Sequence, residues 1–141
     1  MTEQTTTTTP LADESLSALS LEASLTVGDV RRSADWYRDV LGFTIDREFE
    51  REGRLLAVSL RAGSVRILVN QDDGARGTDR VKGVGFSLQI TTPQNVDAIA
   101  ERARRAGATL DSEPADVWGA RGFRLRDPDG FRLTISSPRA R

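Results

Sequence analysis

The stretch that decides the fold is Phe123-Arg124-Leu125-Arg126-Asp127-Pro128-Asp129-Gly130-Phe131-Arg132-Leu133-Thr134-Ile135. Two alternating runs flank a four-residue turn, in which Pro128 presets φ at the first central position and Gly130 accepts the positive φ that closing the turn requires. The segment reads as a β-hairpin. Phe123 and Leu125 alternate with Arg124 and Arg126 on one strand, and Phe131, Leu133 and Ile135 alternate with Arg132, Thr134 and Ser136 on the other. Each strand thus has one apolar and one polar face. The apolar face must be covered. Whether the polar face lines solvent or a cup is the functional question.

Working outward, the hairpin closes a pattern that occurs twice. Leu21 to Val27 alternates as a half-buried strand; Asp29 then offers a carboxylate N-cap to a helix carrying Ala34, Tyr37, Val40 and Leu41 at helical spacing, with Gly42 as its C-cap. Phe43–Glu50, Leu55–Arg61 and Val65–Asn70 follow as three strands separated by Glu52-Gly53 and Ala62-Gly63 turns. In the second half Val84, Phe86, Leu88 and Ile90 alternate as a strand. Thr91-Thr92-Pro93 is expected to cap a helix bearing Val96, Ile99, Ala100, Ala103 and Ala106 and ended by Gly107. Thr109–Val117, Ala120–Arg126 and Phe131–Ser136 complete the second set of strands. The chain is therefore expected to be α+β: two βαβββ modules, about residues 20–70 and 82–137, joined by a polar linker over 71–81. Each module is too small to bury its helix and sheet face well alone. The expected result is a curved mixed sheet, a cup, with helices on its outer face. Residues 1–19 include a five-threonine run and are expected to be a disordered tail, or else Leu11, Leu16, Leu19 and Leu21 form a short amphipathic turn docked on the body. Residues 138–141 form a short C-terminal tail.

Composition limits the chemistry. The chain has 141 residues, 38% hydrophobic and 29% charged, in the range of one globular domain. Cysteine and histidine are both absent. This removes disulfides, thiolate ligands and nucleophiles, the commonest metal ligand and the commonest general base. The net charge of -1 gives no sequence-independent attraction to a nucleic-acid backbone. No apolar run is long enough to span a membrane, and no signal peptide is visible, so a cytoplasmic location is expected. Trp36 and Tyr37 read as core residues, Asp127 and Asp129 as turn-forming carboxylates, and Arg102, Arg104 and Arg105 as a solvated helix face.

Leu25-Thr-Val-Gly-Asp29, then Ser33-Ala-Asp-Trp-Tyr-Arg-Asp-Val-Leu-Gly-Phe43, and finally Asp127-Pro-Asp-Gly-Phe-Arg-Leu133 together resemble the vicinal oxygen chelate superfamily. That superfamily includes glyoxalase I, bleomycin-resistance proteins, extradiol dioxygenases and fosfomycin-resistance enzymes, and the likeness spans about residues 20–137. The resemblance implies a metal site on the inner face of the cup, with one ligand on the first strand of each module and one on the last. Carried across by motif, those positions hold Glu22, Gly85, Ile67 (or Arg66 if the alignment slips by one) and Thr134. One carboxylate and one hydroxyl do not make a site for Fe, Ni or Zn, so no cofactor is expected.

A cup without metal can still bind. Its floor is expected to carry Glu22, Ser24, Ile67, Val69, Ser87, Gln89, Arg132 and Thr134. Trp118, in a Gly-rich connection similar to the Trp-Gly pair of bleomycin-resistance proteins, either offers a flat rim for stacking or anchors its loop on the core. The ligand-binding set is thus Ile67, Ser87, Gln89, Trp118, Phe123, Arg132 and Thr134, and Glu22 is the one candidate catalytic group. The expected function is metal-independent binding and sequestration of an aromatic, peptide-like or cationic small molecule by a homodimer. A lyase or isomerase using Glu22, and a structural or regulatory interaction protein, are the alternatives.

Overall fold

The computed structural model describes residues 15–139. The first module runs β1 (Ala23–Val27), α1 (Val30–Leu41), β2 (Thr44–Arg51), β3 (Arg54–Ala62) and β4 (Val65–Gln71). The second runs β5 (Ser87–Thr91), α2 (Val96–Arg105), β6 (Leu110–Val117), β7 (Ala120–Arg126) and β8 (Arg132–Pro138). Each forms a four-stranded mixed sheet, in the orders β1-β4-β3-β2 and β5-β8-β7-β6, with the first and last strands of each module parallel. The twofold βαβββ pattern read from the sequence is the architecture of the chain.

The local signals act as expected at α1. Asp29 accepts a hydrogen bond from the Arg32 amide at 3.1 Å, and Gly42 closes the helix at φ 79°. Arg102 reaches across from α2 and donates to the Arg38 carbonyl at 3.4 Å, so it caps α1 as well as belonging to a charged helix face. At α2 the cap differs from expectation. Asn95 accepts from the Ala98 amide at 3.2 Å, and the helix starts only at Val96. Thr92 instead closes its own turn, accepting from the Gln94 amide. β5 is also shorter than expected. It begins at Ser87, and Gly85 sits in the preceding turn at φ 75° rather than on a strand.

Helix α1 packs on β2, β3 and β4, α2 packs on β6, β7 and β8, and the two helices touch each other. One hydrophobic core runs through both modules, from Leu25, Val58 and Val69 through Tyr37 and Ala100 to Phe123 and Leu133. A polar network ties the modules together at the Asp127–Gly130 turn. Tyr37 donates to Asp127 Oδ2 at 2.7 Å, while the amides of Asp129 and Phe131 donate to Asp127 Oδ1, both at 2.9 Å. Burial pushes the Asp127 carboxyl up from its usual range, and these three hydrogen bonds oppose that push. Asp129 accepts from the Gly28 amide at 2.8 Å and from the Ser33 hydroxyl at 3.3 Å. Both aspartates therefore exceed the purely local role read from the turn.

The connection between modules is held by Asp72, which accepts from Lys82 at 2.7 Å, the Gly74 amide at 2.9 Å and Arg80 at 3.1 Å. These donors, Lys82 foremost, hold its carboxyl well below the usual carboxylate range. Of the tail expected over residues 1–19, residues 1–14 lie outside the described residues, as do residues 140–141 of the C-terminal tail. Leu16, Leu19 and Leu21 are fully exposed, so they do not dock on the body. No described helix is long and apolar enough to cross a membrane.

Candidate functional site

The helix-covered face of each sheet is apolar, and the opposite face is open. Pairing fixes which residues share the open face. In the second sheet Leu88, Leu133 and Leu125 lie in register on the core side, as do Phe123, Ile135 and Ile90. Their neighbours in sequence therefore present to the other side. Ser87 pairs with Arg132, Gln89 with Thr134, Thr134 with Arg124, and Gly122 with Ser136. These residues line a concavity of about 820 Å³ whose wall is completed by β6 through Ser112 and Ala115. Gly122 is needed there, because a Cβ would stand 2.9 Å from the Ile135 carbonyl oxygen.

The structure thus brings Ser87, Gln89, Arg132 and Thr134 together, four of the residues expected on the floor. Gln89 links them by donating to Ser87 Oγ at 2.9 Å and to Thr134 Oγ1 at 3.3 Å. The expectations for Ile67 and Val69 and for Glu22, and the anchor reading of Trp118, are corrected. Ile67 is only 2% exposed and Val69 is fully buried, both on the helix side of β4; the open face there belongs to Arg66, Leu68 and Asn70. Phe123 borders the concavity, as expected, but at 1% exposed it belongs to the core cluster. Trp118 anchors nothing: it is 98% exposed at the β6–β7 turn, with φ 54°, beside Val117, which does line the concavity. Glu22 is exposed, just before β1, and does not line the concavity.

Arg124 and Arg126 join the site although they are not among the expected binding residues; their alternation with Phe123 and Leu125 is the signal that points to them. The same parity that buries the apolar pair turns both arginines to the open face. Arg126 is paired with Asp111 at 2.9 Å. Arg124 and Arg132 have no ion-pair partner among the described residues.

The open face of the first sheet carries Ser24, Leu68, Asn70, Ser59 and Phe49, with the Arg47 guanidinium stacked 4.9 Å from the Phe49 ring centre. Among the described residues no strand of one sheet pairs with a strand of the other, and the 820 Å³ concavity is walled by second-module residues alone. A second concavity of about 520 Å³ lies between α1 and the Asp127–Gly130 turn, lined by Arg32, Trp36 and Asp39 among others. Its Asp127 is already committed to holding the modules together.

The donors present do not fit a metal. The four positions carried across by motif are an exposed Glu22, a buried Ile67, a turn glycine at 85 and Thr134, and among the described residues no three Asp or Glu side chains gather into a metal-binding group.

Residues 20–135 match the family model of the glyoxalase/bleomycin resistance protein/dioxygenase superfamily. Among solved structures, the fold is similar to a glyoxylase/bleomycin resistance protein/dioxygenase domain from Frankia sp. EAN1pec, with a TM-score of 0.72 and 25% identity over 89% of this chain and 100% of that one. It is also similar to TnmS3, an antibiotic binding protein from Streptomyces sp. CB03234, with a TM-score of 0.68 and 19% identity over 87% of this chain and 99% of that one. TioX from Micromonospora sp. ML1 superposes with a TM-score of 0.66 and 23% identity, over 87% of this chain and 98% of that one. Comparison with curated proteins returned no match. With its two βαβββ modules and a match over nearly the whole described chain, the protein belongs to the glyoxalase/bleomycin resistance protein/dioxygenase superfamily.

Proposed function

We propose that this protein is a small-molecule binding protein that works without a metal, acting in the cytoplasm by sequestering an aromatic or peptide-like compound on the open face of its second sheet. The observation that carries this reading is the 820 Å³ concavity, where the Arg124 and Arg132 guanidinium groups face no carboxylate and no metal donor set is present. Ligand sites are concave surfaces with a few placed polar groups. TnmS3, an antibiotic binding protein of the same fold, supports the same reading.

A homodimer completes the site. Within one chain the helices cover one face of each sheet and leave the other open, so the first-module face of a second copy is the surface available to close the cup. The lyase or isomerase alternative rests on Glu22, and the position of that residue outside the concavity gives it no support.

Calorimetric titration against a panel of aromatic and peptide-like antibiotics tests the proposal. At least one should bind saturably and raise the unfolding temperature, and Thr134→Trp, which fills the floor, should abolish binding while the fold persists. A panel with no saturable binder, or binding unaffected by Thr134→Trp, would overturn it.

A further inference from the structure

The charge of the open face points to the class of compound. Arg126 and Arg132 stand directly opposite each other in the β7–β8 register, and Arg124 faces Thr134 one pair further along the same face. Like charges opposed across strands are destabilising. Asp111 compensates Arg126 at 2.9 Å, and the other acids near this wall are engaged elsewhere: Glu113 with Arg104 on α2, and Asp116 with Arg121 and Arg139. Two guanidinium groups, Arg124 and Arg132, are left on the floor without a carboxylate. They sit on diagonal positions, roughly 7–8 Å apart at the backbone, within reach of one bound group. Gln89 spends its amide hydrogens on Ser87 and Thr134, so the arginines are the strong donors remaining in the concavity.

The first sheet repeats the sign. Its open face holds Arg47, Arg61 and Arg66, and the one acid that reaches them, Asp46, lies 2.7 Å from Arg66 and 3.7 Å from Arg61. A second copy laid over the cup would add positive charge rather than neutralise it. An arginine fork matches a planar or tetrahedral oxyanion through paired N–H donors, and its flat face also stacks on aromatic rings.

We infer that the compound bound here is an aromatic oxyanion, a ring system bearing a carboxylate, sulfonate or phosphate group, and not a cation, with Arg124 and Arg132 as the residues that select it. This rests on the small-molecule reading above and narrows it, turning the expectation of a cationic ligand around. A cation in this cup would meet uncompensated guanidinium groups.

Two fluorescent probes with one frame test this: anilinonaphthalene sulfonate and its uncharged parent, N-phenylnaphthylamine. The sulfonate should bind at least about tenfold more tightly than the parent, the ratio expected for one charge-assisted contact. Added salt should weaken its binding alone. The preference should vanish in Arg124→Gln/Arg132→Gln, shrink in Arg132→Lys, which keeps the charge but loses the fork, and persist in Arg104→Gln/Arg105→Gln, which removes two positive charges from α2. Circular dichroism confirms that each variant is folded. Equal affinity for the two probes, or a preference that survives in the double variant, would overturn the anion assignment and leave the small-molecule cup standing. Failure of both probes to bind would count against the cup itself, and the anion assignment would fall with it.

Discussion

Tyr37 and Asp127, ninety positions apart in the chain, meet in a buried hydrogen bond of 2.7 Å that joins the first module's helix to the second module's turn. The phenol donates to a carboxylate that burial alone would force towards protonation, and the Asp129 and Phe131 amides share the task. Tyr37→Phe removes one of three donors to that carboxylate and leaves its Oδ2 unsatisfied. The expected loss is about 1–3 kcal/mol at neutral pH. The phenol's hydrogen bond favours the ionised carboxylate and opposes the burial that raises the folded-state pKa of Asp127, so its contribution is present above that pKa and is lost as pH falls through it. The Tyr37→Phe penalty should therefore shrink in acid. Urea unfolding of both proteins at neutral pH and near pH 4 measures this; an equal penalty at both values would show that the hydroxyl is not supporting a charged carboxylate.

Tyr37 is the only tyrosine. Burial above all, then the Asp127 charge, holds its phenol well above the usual tyrosine range. A folded-state pKa raised above the unfolded value of about 10 stabilises the fold fully below that value and loses its effect as pH rises beyond it. Tyrosinate absorbance should accordingly appear only with loss of the circular dichroism signal during an alkaline titration. Ionisation while the protein is still folded would contradict the buried position.

The face assignment of β4 is open to a direct comparison. Ile67→Ala should cost about 2–5 kcal/mol, the range for truncating a buried aliphatic side chain. Leu68→Ala, on the open face, should cost well under half as much. Thermal or chemical denaturation of the pair decides the parity, and a reversed order would place Ile67 in the cup.

Trp118 occupies a left-handed conformation at φ 54° with its side chain almost fully exposed. A bulky residue there carries a backbone cost and buries nothing in return. Trp118→Gly should leave stability unchanged or raise it by up to about 1 kcal/mol. A clear loss of stability would mean that the indole packs on the body after all.

The open-face arginines show how far the site was legible. Alternation in Phe123–Arg126 and Arg132–Ile135 already separates apolar from polar positions, and Ser87, Gln89, Arg132 and Thr134 follow from it. Arg124 and Arg126 obey the same alternation, whereas Phe123 and Ile67 belong to the opposite face. The floor expected from the motif alignment and strand parity includes Ile67 and Val69, whereas in β4 these are the apolar members and Arg66 and Asn70 the polar ones. A shift of one residue exchanges every side chain between faces, so this small error moved the residue from core to cup.

The sequence by itself determined the α+β class, the repeated βαβββ order, the caps at Asp29 and Gly42 and the turn at Asp127–Gly130. These depend on interactions within a few residues and on the two periodicities of strand and helix. Tertiary structure alone decided that this turn is the joint between modules, that the two sheets do not close on each other within one chain, and that Arg132 opposes Arg126 with Arg124 beside them. Each of these depends on residues brought together from distant parts of the chain. Strand register and helix packing set such contacts, and no local pattern encodes them.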